Sequence, residues 1–121
     1  MNKVLSLSEN ITGTDYVVGD IHGMFDLLET ELANIGFNKS TDRLFCTGDL
    51  VDRGPASEKV IQYLSEPWFF SCIGNHDAQY AFYGKKLPIN YASFVCSPSD
   101  DWFACIAQTE RTSIFNALFK R

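Results

Sequence analysis

Short apolar runs that end at glycine are the clearest pattern in the first two thirds of the chain. They predict three buried strands, at residues 15–18, 43–47 and 68–73, and each one leads into a Gly-Asp or Gly-Asn step. Between the strands, apolar residues recur at helical spacing. Strands that alternate with helices are typical of a parallel sheet with right-handed crossovers.

Two helices are expected in the connections between these strands. The first covers residues 25–35, with acidic residues on its polar side and Gly36 as its stop. The second is expected to open at Pro55, since proline is favoured in the first helical turn. Its apolar face comprises Val60, Ile61 and Leu64. Residues 78–121 have a weaker pattern, which favours a loop followed by helical segments.

Size and charge narrow the class of protein. A chain of 121 residues with 45% hydrophobic residues fits one packed domain, and its net charge of −5 argues against a nucleic-acid partner. No run reaches the about 18 apolar residues of a membrane span, and no signal-peptide pattern opens the chain. The four cysteines lack paired spacing, so buried free thiols and a cytoplasmic location are expected.

Polar clusters follow all three predicted strands. Residues 19–23 read Gly-Asp-Ile-His-Gly, residues 48–54 read Gly-Asp-Leu-Val-Asp-Arg-Gly, and residues 74–77 read Gly-Asn-His-Asp. In an extended stretch alternate side chains point the same way, so Asp20 and His22 can share one ion. Because ligands of open parallel sheets bind beyond the carboxyl ends of the strands, we expect the three clusters to meet there.

The residue types in these clusters suit a metal ion and a phosphate. A carboxylate, an imidazole and an amide together favour manganese, iron or zinc over copper or calcium, and manganese is the first choice. The guanidinium of Arg53 could hold a phosphate with two parallel hydrogen bonds. One such cluster is ordinary loop material. Three in order, each after a predicted strand, point to a metal-dependent site.

The three clusters resemble the signature of the calcineurin-like metallophosphoesterase superfamily, in the branch of phosphoprotein phosphatases and symmetrical diadenosine tetraphosphate hydrolases. The resemblance implies an α/β fold in which a parallel βαβαβ sheet flanked by helices forms the N-terminal half of an αββα sandwich. It also implies a site with two divalent metal ions. The implied metal ligands are Asp20, His22, Asp49 and Asn75.

The same resemblance assigns the remaining polar residues to catalysis. Asp49 would bridge the two ions, Arg53 would bind the phosphate, and His76, oriented by Asp52, would protonate the departing oxygen. Two ions about 3.5 to 4 Å apart acidify the water that attacks phosphorus. The implied substrates are phosphoesters, most simply phosphoserine or phosphothreonine in proteins.

Two positions leave the substrate class open. Phosphoprotein phosphatases usually have Arg and Glu where this chain has Ile73 and Asp77, and here it is more similar to the dinucleotide tetraphosphate hydrolases. The segment Pro67, Trp68, Phe69 instead resembles the phage and bacterial protein phosphatases. A non-catalytic module that binds a metal and a phosphate is a third hypothesis.

The number of histidines limits what the chain is expected to do. The family completes its second metal site with two later histidines, but His22 and His76 are the two that this sequence contains. We therefore expect a partial metallophosphoesterase domain over residues 1–121, with its motif core at 15–77. It should bind at most one ion well and show little activity. Apolar surface left uncovered would favour self-association.

Overall fold

The computed structural model describes residues 4–78. Its strands are β1 (Asp15–Val18), β2 (Arg43–Cys46) and β3 (Phe69–Ser71). Its helices are α1 (Phe25–Asn34), α2 (Val60–Leu64), which follows a 3₁₀ turn at Ser57–Lys59, and α3 (Asn75–Ala78). No helix within these residues is long and apolar enough to cross a membrane.

The three strands form one parallel sheet in the order β1-β2-β3, as the sequence predicts. Tyr16, Leu44 and Phe69 stand side by side in register. All three strands run the same way, so the loops after them emerge at one edge of the sheet. That edge carries the three polar clusters.

Helices α1 and α2 cover one face of this sheet and form the core with it. Phe25 of α1 and Val60 of α2 are fully buried, and the ring of Phe25 stacks on that of Tyr63 with centroids 4.5 Å apart. Phe69 of β3 belongs to the same cluster. Each fully buried side chain of this size stabilises the fold by about 1.5–3 kcal/mol.

The opposite face of the sheet is more open. Val17, Phe45 and Phe70 are neighbours in register there, and Val17 is 76% exposed. The Phe45 and Phe70 rings stack at 5.1 Å, and the guanidinium of Arg43 lies over Phe45. This face, defined by Val17, Phe45 and Phe70, is called the open face below.

The second helix begins later than its sequence predicts. Pro55 does not open it; the chain stays irregular until the 3₁₀ turn at Ser57–Lys59. The reason lies in two hydrogen bonds, from the Ala56 N–H to the Gly23 carbonyl and from the Asp52 N–H to Ser57 Oγ. The first holds the loop against the first polar cluster, and the second holds the loop in its own bend.

The other element boundaries differ by a few residues at most. Helix α1 ends before Gly36, whose φ of +70° suits its predicted role as a stop, and β3 is shorter than the predicted strand at 68–73. The short helix α3 was not predicted. The expected loop and helical segments at 78–121 lie outside the described residues except for Ala78, which ends α3.

The cysteine prediction is correct for one of the two described thiols. Cys46 and Cys72 are both free, and Cys46 is buried, but Cys72 is exposed. Cys72 lies just beyond the last residue of β3, where the chain leaves the sheet. Cys96 and Cys105 lie outside the described residues.

Candidate metal centre

The loops after β1 and β2 have an unusual backbone. His22, Asp49, Asp52 and Arg53 are all left-handed, with φ of 45°, 53°, 70° and 73°. This conformation costs a non-glycine residue about 1–3 kcal/mol, and such strain clusters at functional sites. All four residues lie in the polar clusters after β1 and β2, and contacts between these loops must maintain the strained backbone.

Backbone hydrogen bonds join the loop after β1 to the loop after β2. The N–H groups of Ile21 and His22 donate to the Asp49 carbonyl over 3.1 and 2.9 Å. A Cβ on Gly54 would lie 2.0 Å from the His22 carbonyl oxygen, so only glycine allows this approach. The two loops therefore form one tightly packed unit.

Asp20, His22 and Asp49 come together in this unit. Each offers one ligand atom, and the three atoms lie within 4.8 Å of one another. The Nδ1 atom of His22 is 2.9 Å from the Val51 carbonyl, which can only accept, so Nδ1 carries the hydrogen. The lone pair is then on Nε2, which lies 3.6 Å from Asp20 Oδ2. Two carboxylates and a neutral imidazole fit a divalent cation.

The loop after β3 brings Asn75 and His76 to the same edge. The N–H of His76 donates to Asp49 Oδ1 over 2.9 Å. Asn75 is exposed at the start of α3, one residue before His76. A Cβ on Gly74 would lie 2.0 Å from Asp49 Oδ1, so this loop also approaches the second one too closely for any larger residue.

His76 and Asp52 form a hydrogen-bonded pair. His76 Nδ1 lies 2.9 Å from Asp52 Oδ2, and Asp52 is fully buried. If Nδ1 donates its hydrogen to the carboxylate, Nε2 is the ring nitrogen that can give or accept a proton. The His76 ring meets that of His22 edge to face, with centroids 5.0 Å apart. The pair thus borders the Asp20, His22, Asp49 group.

Arg53 extends the candidate site to the surface. Its side chain is exposed, and within residues 4–78 it makes no ion pair. A guanidinium matches the geometry of a phosphate and can form two parallel hydrogen bonds with it. Arg53 directly follows Asp52 in the loop after β2 and is exposed there.

Asp77 and Ser57 are buried polar residues to which the sequence analysis assigns no role. Asp77 is 1% exposed and accepts hydrogen bonds from the Leu50 and Gly74 N–H groups. Burial raises its pKa, although these two donors favour the charged form. Ser57 is fully buried and accepts the Asp52 N–H. The sequence feature that could have pointed to Asp77 is its place in the third polar cluster, at residues 74–77.

Cys46 lies beneath the loops and is not suited to hold the ion. Its Sγ is 3.3 Å from the Gly19 carbonyl and 3.5 Å from the Gly48 carbonyl. Burial raises the pKa of the thiol, so it remains neutral, whereas a metal ligand must be a thiolate. Its contribution is packing.

Curated proteins named as serine/threonine-protein phosphatases are similar in sequence to this chain. The sequence is 34% identical to serine/threonine-protein phosphatase 2 of Escherichia coli over 105 residues, which are 87% of this chain and 47% of that protein. It is 49% identical over 63 residues to the protein of the same name from Salmonella typhimurium, covering 52% of this chain and 29% of that one.

A second group of relatives has a different name. The symmetrical bis(5'-nucleosyl)-tetraphosphatase of Serratia proteamaculans is 42% identical over 79 residues, which are 60% of this chain and 28% of that enzyme. A solved structure assigned to a diadenosine tetraphosphatase superposes with a TM-score of 0.63 at 34% identity, over 87% of this chain and 43% of that one.

These matches agree on the family. The chain spans about half or less of the length of the relatives that it matches. Residues 16–119 match the family described as calcineurin-like phosphoesterase. That range includes the three loops whose geometry is described above and covers most of the sequence. The chain therefore belongs to the calcineurin-like phosphoesterase family.

Proposed function

We propose that this chain supplies the first part of a metal-dependent phosphoesterase site, in which Asp20, His22 and Asp49 hold one divalent ion. The observation that carries the proposal is the convergence of their ligand atoms within 4.8 Å at the carboxyl edge of the sheet. Asp49, with Asn75, would contribute to a second ion in the complete site. Manganese suits these ligands, as do iron and zinc.

The side chains around this centre have separable tasks in hydrolysis. When bound, divalent ions acidify water and neutralise charge on the phosphoryl group. Arg53, exposed and without an ion pair in the described residues, binds the phosphate oxygens. His76 delivers a proton from Nε2 to the departing oxygen, while Asp52 holds Nδ1 and fixes the ring.

The substrate we propose is a phosphomonoester of serine or threonine in a protein. The two relatives named as serine/threonine-protein phosphatases support it. A symmetrical dinucleoside tetraphosphate is the second candidate, because partly buried Ile73 is an apolar residue where protein phosphatases usually have an arginine. Relatives with that activity in their names support this alternative.

Calorimetric titration with Mn²⁺ tests the metal centre directly. Asp20→Asn and His22→Ala should each weaken binding by tenfold or more, by analogy with the about 10–100-fold effects of disturbing metal-site residues. Glu31→Gln is the control, because Glu31 is an exposed carboxylate on α1 and away from the three loops. Equal affinity in all four proteins would contradict the proposed centre.

Substrate class needs a separate comparison. A phosphothreonine peptide and diadenosine tetraphosphate should be offered to the Mn²⁺-loaded chain, at equal concentration, with product release measured over long incubation. Faster release of phosphate from the peptide supports the first candidate, and faster cleavage of the dinucleotide supports the second. Release of neither product would exclude measurable hydrolysis of these two substrates by this chain.

A further inference from the structure

We propose that Asp77 is a positioning residue that locks the second and third loops together and thereby aligns Asp49 with Asn75. The inference rests on the proposed function, because it concerns two of the proposed metal ligands. It gives a task to a buried carboxylate that is neither exposed to substrate nor part of the Asp20, His22, Asp49 group.

The two oxygens of Asp77 bind different loops. Oδ1 accepts the Leu50 N–H over 2.8 Å, and Oδ2 accepts the Gly74 N–H over 3.1 Å. Leu50 directly follows Asp49, and Gly74 directly precedes Asn75. One carboxylate therefore fixes the backbone beside both proposed ligands.

The second and third loops approach each other closely beside the Asp77 carboxylate. A Cβ on Gly48 would lie 2.6 Å from the Gly74 nitrogen, so no side chain can be inserted between the two backbones there. The direct contact from the His76 N–H to Asp49 Oδ1 depends on the same spacing. Loss of the Asp77 bonds would let the loops separate and would move Asp49.

A purely structural role is the alternative, and Asp42 provides a matched control for it. Asp42 also accepts two backbone N–H groups through its two oxygens, from Thr14 and Asn38, each over 2.8 Å. It lies near the start of β2, at the opposite end of the strand from the polar loops. Asp42→Asn thus removes the same kind of clamp without touching the candidate site.

The test compares Asp77→Asn with Asp42→Asn in the 121-residue chain. Asparagine has one acceptor oxygen and one NH₂ donor, so one backbone N–H loses its acceptor in each variant. Asp77→Asn should weaken Mn²⁺ binding about tenfold or more, whereas Asp42→Asn should leave it within about twofold. Thermal unfolding of the metal-free variants shows whether each is folded. Folded Asp77→Asn with wild-type affinity would overturn the inference.

Amide hydrogen exchange of the wild-type chain gives a second test that needs no variant. If the clamp and the ion are coupled, a bound ion must tighten the clamp by the same factor as the clamp tightens ion binding. Zn²⁺, which is diamagnetic, should slow exchange at Leu50 and Gly74 by more than at Thr14 and Asn38. Uniform slowing, or none at any of the four while Zn²⁺ binds, would overturn the inference.

The two tests also separate failure of the inference from failure of the proposed function. If the wild-type chain binds neither Mn²⁺ nor Zn²⁺, the proposed metal centre is wrong, and with it the alignment of ligands by Asp77. If the wild type binds and Asp77→Asn binds equally well, the metal centre stands and Asp77 has only a structural role.

Discussion

His76 and Asp52 are joined by a 2.9 Å contact between Nδ1 and Oδ2, and the carboxylate is completely buried. His22, whose ring meets that of His76 edge to face, instead directs Nδ1 to the Val51 carbonyl. Two neighbouring histidines thus have different partners. The difference is the one expected if His76 transfers a proton and His22 binds a metal ion, as proposed.

This difference predicts that substitution of the two histidines has different effects on Mn²⁺ affinity. His22→Ala should weaken Mn²⁺ binding by tenfold or more, because it removes a ligand, whereas His76→Ala should leave it nearly unchanged. In any form of the enzyme with measurable turnover, His76→Ala should mainly lower kcat. An equal loss of metal affinity in both variants would assign His76 to the metal.

Metal stoichiometry should follow from the ligands that residues 4–78 supply. Within these residues the proposed ligands Asp20, His22 and Asp49 would hold one ion, whereas Asp49 and Asn75 alone would be too few for a second. Calorimetry should give close to one Mn²⁺ per chain. Hydrolysis of an aryl phosphate should be at least about a thousandfold below that of a dinuclear enzyme, a loss of about 4 kcal/mol in transition-state stabilisation. A stoichiometry of two with rapid hydrolysis would contradict this prediction.

Position 74 should require glycine for stability, because any side chain there would clash with Asp49. In Gly74→Ala the new Cβ would lie 2.0 Å from Asp49 Oδ1 and 2.2 Å from its nitrogen, so the free energy of unfolding should fall by about 2 kcal/mol. Gly19→Ala is the control, since a Cβ there meets nothing within 4 Å. Chemical denaturation measures both variants. Equal stabilities would show that the loops can separate at little cost.

The bidentate pair between Asp15 and Arg43 should make stability depend on pH. Arg43 bonds both oxygens of Asp15 over 2.7 Å and lowers the pKa of this carboxyl. A lowered folded-state pKa gives stability that is present above the unfolded value of about 3.9 and is lost as pH falls through the folded value. The unfolding free-energy difference between wild type and Asp15→Asn should therefore shrink on acidification.

The Arg43→Met background is the control for this pH effect. With the guanidinium removed, the effect of Asp15→Asn on the free energy of unfolding should vary much less between neutral and acidic pH, because the main cause of the shift is gone. Denaturant titrations at several pH values measure it. An effect of Asp15→Asn that is independent of pH while Arg43 is present would exclude this pair as the source.

The open face of the sheet is where we predict self-association. Val17, 76% exposed beside Phe45 and Phe70, offers apolar surface that favours contact with a second copy. Val17→Lys should shift sedimentation toward the monomer, whereas Leu27→Lys, at a 51% exposed position on α1, should not. A wild-type chain that sediments as a monomer at its highest usable concentration would contradict this prediction.

The sequence by itself determined the order of elements and the edge of the sheet where the polar residues lie. These features depend on local signals: apolar runs that end at Gly19, Gly48 and Gly74, and helical spacing between them. The parallel sheet follows from that alternation. The family resemblance carried by the same three clusters was confirmed by the match over residues 16–119.

Only the tertiary structure decided how the loops lock together. The delayed start of the second helix and the buried hydrogen bond from Leu50 to Asp77 both depend on contacts between distant parts of the chain. Leu50 and Asp77 are 27 residues apart. The spacing of apolar residues along the chain indicates which residues share a face of one helix or strand. Buried hydrogen bonds between loops leave no such period in the sequence, because they arise only when the sheet has brought those loops together.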